Sequence, residues 1–195
     1  MTDSLDAEKL TTRVAALVEA ARKAGADAAD AIAVRSRSTG VSVRLGKVES
    51  TEASESDDIS LRVFVGKRVA SISATAASDP AMLAERAVAM ARVSPEDPYQ
   101  GLVDPGLLAQ GSVDLDLFDP TVLGADQLRD AALEAEEAAL AVKGVTNSAG
   151  SGASAGLGGM VLATSAGFVG QYVGSRFSRS VSAIAGEGTG MERDY

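Results

Sequence analysis

Alternating apolar and polar residues, interrupted by Gly-Lys dipeptides, constrain the fold of this chain more than any other feature. Gly46-Lys47 and Gly66-Lys67 each follow a run in which every second residue is apolar. Such alternation is typical of strands with one buried face, and glycine at the end of a run favours a tight turn. The sequence therefore predicts an antiparallel meander. Its predicted strands are residues 31–34, 41–45, 59–65 and 69–74.

Helical spacing of apolar residues predicts one helix on each side of this meander. The first spans residues 5–24, with Ser4 as its N-cap and Gly25 as its stop. Its apolar face comprises Leu10, Val14, Leu17, Val18 and Ala21. The second begins at Ser78-Asp79-Pro80, because proline favours the first helical position, and ends before Pro95. Its apolar stripe comprises Leu83, Ala87, Met90 and Ala91.

The second half of the chain repeats the order of a helix followed by strands. A third helix is predicted over residues 123–142 and ends before Gly144. Twelve of the twenty glycines lie at Gly144 or after it. Its apolar stripe comprises Leu128, Ala132, Ala135, Ala139 and Val142. The predicted strands after it are residues 160–164, 168–173 and 177–185. The sequence thus predicts an α+β fold with two helix-plus-antiparallel-sheet layers, related by internal duplication.

Proline and glycine also indicate how the chain is divided. Residues 94–120 hold four of the five prolines and three glycines, which is typical of an irregular connector. We therefore expect an N-terminal α+β subdomain at residues 1–95, a connector at residues 96–120 and a second helix-plus-strands subdomain at residues 121–195. Because the final residues resemble the beginning of another element, we expect the second subdomain to be truncated and a C-terminal domain to be absent.

Composition excludes several classes of function. The 195 residues include no histidine and no cysteine, which excludes Ser-His-Asp triads, histidine zinc sites, disulfides and cysteine nucleophiles. A net charge of −9 disfavours binding to phosphate backbones, so we expect no nucleic-acid partner. The acidic N-terminus is unlike a secretory signal, and the sequence lacks the run of about 18 apolar residues needed to span a bilayer. We therefore expect a cytoplasmic protein with no membrane partner.

Two glycine-rich motifs suggest enzymatic sites that the rest of the sequence does not support. Residues 152–156 match the G-x-S-x-G nucleophile elbow, which requires a following helix and a histidine base. Residues 150–155 fit the loose G-x-G-x-x-A dinucleotide pattern, which must open a helix. Glycines at positions 156, 158 and 159 disfavour that helix. We expect a loop of small residues between strands.

Charged clusters are the remaining candidates for a site. The candidate carboxylates are Glu49, Glu52, Glu55, Asp57 and Asp58, then Asp114, Asp116 and Asp119. They lack the EF-hand pattern, and strand alternation divides the first group between two faces, so we expect a solvated strand and loop. Arg176 and Arg179 could bind an anion or a carboxylate terminus, although outward-facing charges are the simpler expectation. The sequence therefore assigns no catalytic, cofactor-binding or metal-binding residue.

Segments along nearly the whole chain resemble the N-terminal region of the TldD/PmbA family, in particular its PmbA/TldE type. The matching segments are Gly40-Val41-Ser42-Val43-Arg44, Gly46-Lys47-Val48-Glu49 with Glu52, Leu61-Arg62-Val63, Pro95-Glu96-Asp97-Pro98, Asp114-Leu115-Asp116-Leu117-Phe118, Ala135-Glu136-Glu137-Ala138-Ala139-Leu140, Thr146-Asn147 and Gly190-Met191-Glu192-Arg193-Asp194-Tyr195. Because they follow one order along the chain, the likeness is more specific than any single motif.

The resemblance implies a role in proteolysis. In this family a TldD–TldE heterodimer acts on peptides and unfolded small proteins, and the family also carries the name modulator of DNA gyrase. The TldD type has an HExxxH zinc motif beyond the region matched here, whereas the PmbA/TldE type lacks that motif. The resemblance therefore implies zinc on the TldD-like partner only, and a parent subunit more than twice as long as this chain.

The function expected from the resemblance is that of a non-catalytic subunit, which shapes the cavity that admits an extended peptide. Strand edges bind extended peptides through main-chain hydrogen bonds, which suits a strand-rich chain. The expected partners are a TldD-like zinc subunit, extended peptide substrates and, in isolation, a second copy of this chain. Two alternatives stay open. One is a stand-alone peptide- or partner-binding regulatory module without proteolysis, and the other is a self-sufficient enzyme using carboxylates or a Ser–Lys pair.

Overall fold

The computed structural model describes residues 6–111 and 113–195, so the predicted N-cap Ser4 lies outside the described residues. In this part of the chain, three α-helices accompany one six-stranded sheet, which confirms the α+β prediction. The elements are α1 (Ala7–Lys23), β1 (Ala28–Arg44), β2 (Lys47–Val65), β3 (Arg68–Thr75), α2 (Pro80–Val93), a 3-10 turn (Pro105–Leu107), α3 (Ala125–Leu140), β4 (Val145–Thr164), β5 (Val169–Ala185), a second 3-10 turn (Gly188–Gly190) and β6 (Glu192–Asp194). The strand order across the sheet is β3-β2-β1-β4-β5-β6.

Helix α1 has the buried face that its sequence predicts. All five residues of the predicted apolar face are buried, because they recur at the spacing of one side of a helix. The Asp6 side chain caps the helix by accepting a hydrogen bond from the Lys9 N–H at 3.2 Å. Gly25 follows the C-cap with φ +98°, a left-handed conformation that glycine adopts readily, and thus confirms the predicted stop.

Helix α2 begins and ends where the sequence predicts, but its buried face is rotated. Asp79 is the N-cap, Pro80 is the first helical residue and the C-cap Ser94 precedes Pro95. The predicted core residue Met90 is 40% exposed, so its assignment to the core was wrong. Helix α2 packs against both α1 and β3. This double contact turns the helix toward Ala84 and Val88, which are buried instead.

The strands are longer than the sequence predicts. The predicted strands at residues 31–34 and 41–45 lie in β1 except for Leu45, and those at 168–173 and 177–185 lie in β5 except for Phe168. The β1–β2 turn comprises residues 45 and 46, one position earlier than predicted, whereas the turn at Gly66-Lys67 is confirmed. Serine, glycine and acidic residues interrupt the apolar alternation. They do not end the strands, because inter-strand hydrogen bonds satisfy the backbone whatever the side chain.

The described chain forms two compact units. Unit 1 runs through Ser36 and includes Ser56–Leu117 and Gly158–Val173. Its core packs α1 and α2 on small and branched residues of the sheet, among them Ala29, Ala31, Ala33, Ile59, Leu61 and Val63. An ion pair crosses between strands here, because Arg62 lies over the Phe64 ring and donates to buried Asp30 through Nε at 3.0 Å. The subdomain boundaries predicted at residues 95 and 120 stay a prediction.

Unit 2 comprises Arg37–Glu55, Phe118–Leu157 and Gly174–Tyr195. Its core is smaller than that of unit 1 and packs α3 against β1 and β4. The buried residues of this cluster are Val41, Val43, Leu128, Ala132 and Ala153. Leu128 is the largest of these side chains and is 1% exposed. Leu123 and Leu133 pack against this cluster and are partly buried, so Leu128 is the one fully buried leucine among its described members.

Candidate functional site

A buried carboxylate, Glu136 of α3, is the most distinctive polar feature of unit 2. Glu136 is 2% exposed, and its Oε1 accepts a hydrogen bond from the Leu45 N–H at 2.9 Å. Its Oε2 accepts one from the Gly46 N–H at 2.8 Å. The hydroxyl of Ser148, near the beginning of β4, donates to Oε1. One side chain thus joins α3, the β1–β2 turn and β4.

The conformation of the β1–β2 turn explains why a carboxylate is useful at this place. Leu45 has φ +48° and Gly46 has φ +76°. Positive φ at both positions of a two-residue hairpin turn is the type I′ pattern, whose twist matches that of the flanking strands. The left-handed conformation costs a leucine about 1–2 kcal/mol. Two successive N–H groups bound by one carboxylate offset that cost.

The same contacts set the ionisation of Glu136. Burial by itself raises the pKa of the Glu136 carboxyl. The hydrogen bonds from Ser148, Gly46 and Leu45 lower the pKa, and together with the charge of Arg44 they outweigh burial. The pKa therefore lies below its ordinary value of 4.5, and the group is an ionised hydrogen-bond acceptor at neutral pH. This arrangement is suited to holding a turn and unsuited to donating a proton to a substrate.

Sequence reasoning missed Glu136. The predicted α3 stripe included Ala135, Ala139 and Val142, but Val142 is 57% exposed and the two alanines are only half-buried. The buried residues are Leu128, Ala132 and Glu136, which recur at every fourth position. A glutamate in register with an apolar stripe is the signal that could have identified it, since buried carboxylates need hydrogen-bond partners.

The pKa of Glu136 predicts how stability responds to acid. A group whose folded-state pKa is lowered contributes stability above its unfolded-state pKa and loses it as pH falls through the folded-state pKa. We expect the free energy of unfolding to decrease when the pH is lowered past about 4.5, the ordinary pKa that applies to the unfolded state. In the same pH range, the difference in stability between wild type and Glu136→Gln should shrink. Urea unfolding between pH 3 and pH 7 measures both, with Glu137→Gln as the exposed neighbouring control. An advantage of the same size at pH 3 and pH 7 would contradict this assignment.

The glycine-rich motifs form no site of the kind they suggest. Residues 152–156 lie inside β4, so the helix required by a nucleophile elbow does not follow them, and the predicted loop was also wrong. The small residues permit a close approach of β1. A Cβ on Gly156 would lie 3.4 Å from the Arg37 carbonyl oxygen, and one on Gly152 would lie 3.6 Å from that of Val41.

The first acidic cluster lies along β2. The residues from Glu49 to Asp58 all belong to this strand, so the loop expected for part of the run was wrong. Glu49, Glu52 and Glu55 are exposed. Asp57 is different because it forms an ion pair with Arg35 of β1. The cluster is therefore a charged strand that ends at an inter-strand ion pair.

The second acidic cluster has local backbone partners. Asp114 accepts a hydrogen bond from the Asp116 N–H at 3.0 Å, and Asp119 accepts one from the Thr121 N–H at 2.8 Å. The hydrogen bonds with Thr121 lower the pKa of Asp119. These contacts are typical of Asx turns, in which an aspartate shapes the loop that contains it.

The two candidate arginines of β5 differ in their contacts. Arg179 forms an ion pair with Glu134 of α3, with 3.0 Å between Nη1 and Oε2. Arg176 is exposed on the same strand. An exposed pair of this type contributes little to stability, about 0–1 kcal/mol. The structure therefore places both arginines outward, as the simpler expectation had it.

A groove of about 480 Å³ in unit 1 lies between α1 and α2. Alanine side chains form much of its lining, and three of its four charged rim residues have structural partners. Glu19 pairs with Lys23 at 3.3 Å, and Asp79 caps α2 by accepting a hydrogen bond from the Ala81 N–H at 2.7 Å. We find in it no arrangement of an acid, a base and a nucleophile among the described residues.

The side chains that the structure describes do not form a zinc site. The family resemblance implies zinc only on the partner subunit. Structural and catalytic zinc sites in proteins are built from histidine, cysteine and carboxylate ligands. This chain has no histidine and no cysteine. Over residues 6–111 and 113–195, no three carboxylates are grouped so that they could hold a metal ion.

The same described residues include no helix long and apolar enough to cross a membrane.

Curated relatives match most of this chain. A metalloprotease PmbA homolog from Haemophilus influenzae is 33% identical over 191 residues, which covers 96% of this chain and 42% of that protein. Metalloprotease PmbA from Escherichia coli O157:H7 is 37% identical over 165 residues, covering 82% of this chain and 37% of that protein. The chain thus spans about two fifths of the length of these relatives.

Solved structures share the fold. A proposed modulator of DNA gyrase from Bacteroides thetaiotaomicron has a TM-score of 0.83 at 23% identity, over 94% of this chain and 42% of that one. TldE from Thermococcus kodakarensis has a TM-score of 0.73 at 17% identity, over 92% of this chain and 40% of that one. Two family models match the sequence: PmbA/TldA metallopeptidase domain 1 at residues 29–91 and its central domain at residues 118–195. The chain therefore belongs to the PmbA/TldD family.

Proposed function

We propose that this chain is the N-terminal portion of a non-catalytic, PmbA/TldE-type subunit of a zinc metallopeptidase. Membership of the PmbA/TldD family supports a role in a metallopeptidase assembly. The observation that carries the proposal is the likeness to two PmbA proteins, at 33% and 37% identity over most of this chain. In this proposal a TldD-like partner supplies the ligands of the zinc ion that activates water.

The proposed role of this chain is to shape the cavity through which an extended peptide reaches the zinc subunit. Long strands and one continuous six-stranded sheet support this role, because a sheet offers its edges to extended chains. The buried Glu136 contacts serve the same end by holding the β1–β2 hairpin in one conformation. In this proposal the substrates are peptides and unfolded small proteins.

A reconstitution experiment tests the proposal. The purified chain is mixed with a TldD-like zinc subunit, and complex formation and hydrolysis of an unfolded peptide are measured with and without a chelator. We expect a complex, no hydrolysis by this chain alone, and loss of the mixture's activity in chelator. Hydrolysis by this chain alone in excess chelator would indicate a self-sufficient enzyme instead. Peptide binding without any complex would indicate a stand-alone binding module.

A further inference from the structure

Strand β2 is much longer than the strand that covers its outer side. It has 19 residues, whereas β3 has 8 and pairs only with residues Asp58–Val65. A last backbone hydrogen bond joins the Ala76 N–H to the Asp57 carbonyl at 2.9 Å. Among the strands of the described residues, only β1 and β3 neighbour β2, so Lys47–Ser56 forms an open edge there. We call this segment the β2 edge, and at about 3.4 Å per residue its length is ~34 Å.

The register shows which backbone groups point outward along the β2 edge. The hydrogen bond from Ala76 to the Asp57 carbonyl places the backbone groups of odd-numbered residues on the β3 side. Contacts with β1 keep one constant offset from Ser42–Ser50 through Ser36–Ser56 to Asp30–Arg62, so no bulge interrupts the alternation between residues 50 and 62. The backbone N–H and C=O groups of Thr51, Ala53 and Glu55 therefore face the open side.

The negative charge of the β2 edge favours a positively charged peptide. Glu55 extends from one face of the strand and Glu52 from the other, and Glu49, Glu52 and Glu55 are all exposed. Lys47 is the one basic residue of this segment. The side chains between the glutamates are small, so an incoming strand can approach. By contrast, β5 carries Arg176 and Arg179 and no acidic residue. The two strands would thus attract peptides of opposite charge.

We infer that the β2 edge binds extended peptide segments rich in lysine or arginine, by adding them as a further strand of the sheet. This inference deepens the proposed function, on which its biological meaning rests, by naming the edge and the charge of the peptide. Main-chain hydrogen bonds to the odd-numbered residues hold the segment, and the three glutamates pair with its cations from both faces. The same charges discourage β2 edges of two copies from pairing with each other.

Binding of two matched peptides to the purified chain tests the charge requirement. The probes are fluorescent ten-residue peptides in which pairs of lysines, or pairs of glutamates, alternate with pairs of threonines, so that each face of the added strand carries charge. Their binding is measured by anisotropy at low and physiological salt. We expect the lysine peptide alone to bind, and Glu49→Gln/Glu52→Gln/Glu55→Gln to weaken it about tenfold. Glu8→Gln/Glu85→Gln/Glu137→Gln makes the same change in net charge at exposed helix positions and should leave affinity within about twofold.

A backbone variant tests whether the peptide is added as a strand. Ala53→Pro removes an outward N–H without disturbing the pairing with β1, and should weaken binding about fivefold, whereas Ala53→Ser should not. Peptide binding should also slow hydrogen exchange at the Thr51 and Ala53 amides. Circular dichroism checks that each variant is folded. Equal binding of both peptides, or lysine-peptide binding that neither edge variant weakens, would overturn the inference.

The two proposals fail separately. Reconstituted hydrolysis with the TldD-like subunit, combined with no lysine-peptide binding at the β2 edge, leaves the proposed function intact and overturns the inference. Binding at the β2 edge without any complex with the TldD-like subunit supports the inference and overturns the proposed function. No detectable binding of either peptide by folded chain at low salt, where charge pairs are strongest, also overturns the inference.

Discussion

Glu136→Ala is expected to lower the free energy of unfolding by about 2–4 kcal/mol at pH 7, because three hydrogen-bond donors lose a charged acceptor. Two of these donors are the Leu45 and Gly46 N–H groups, and the third is the Ser148 hydroxyl. The left-handed conformation of Leu45 would then persist without the contacts that offset its cost. Urea unfolding at neutral pH measures the loss. Hydrogen exchange should show faster exchange at the Leu45 and Gly46 amides.

The neighbouring residue provides the control for this substitution. Glu137 is exposed on the same helix, so Glu137→Ala should change stability by less than about 0.5 kcal/mol. Glu136→Gln should lie between wild type and Glu136→Ala, since its amide oxygen can still accept a hydrogen bond from one turn amide. If Glu136→Ala and Glu137→Ala were equally stable, the buried carboxylate would not hold the turn.

Leu128→Ala is expected to destabilise unit 2 by about 3 kcal/mol, because it removes the largest apolar side chain of a small core. Leu128 is 1% exposed and shares its cluster with two valines and two alanines. Leu123 and Leu133 also pack against this cluster but are only partly buried, so we expect them to fill part of the space and leave a cavity. Urea or thermal unfolding followed by circular dichroism measures the change, and limited proteolysis should cleave within unit 2 first.

A leucine on the same helix is the matched control for the core substitution. Leu140 is 37% exposed at the last turn of α3, so Leu140→Ala should cost less than about 1 kcal/mol. A similar loss from both substitutions would mean that the α3 core contributes little to the stability of unit 2. A loss for Leu128→Ala confined to resistance against proteolysis, with no shift in unfolding, would contradict the expected magnitude.

Local patterns predicted the elements whose causes are local. The apolar face of α1 and the first turn of α2 followed from helical spacing and from Asp79-Pro80, because capping and periodicity act over one or two turns. The full lengths of β1, β2 and β5 did not follow, because serine, glycine and glutamate weaken the alternation that marks a strand. Hydrogen bonds to neighbouring strands, not side-chain pattern, decide where a strand ends.

The sequence by itself determined the α+β class, the three helices, the meander with its Gly66-Lys67 turn, and the absence of histidine and cysteine ligands. Only the tertiary structure decided that the strands form one sheet, that β2 extends beyond its pairing with β3, and that Glu136 binds the β1–β2 turn. The sheet and the Glu136 contacts join residues far apart in the chain: Ala29 and Ser165 are 136 positions apart, and Leu45 and Glu136 are 91 positions apart. Periodicity reports which face of an element is apolar, whereas burial and ionisation of a carboxylate depend on the donors that folding brings to it.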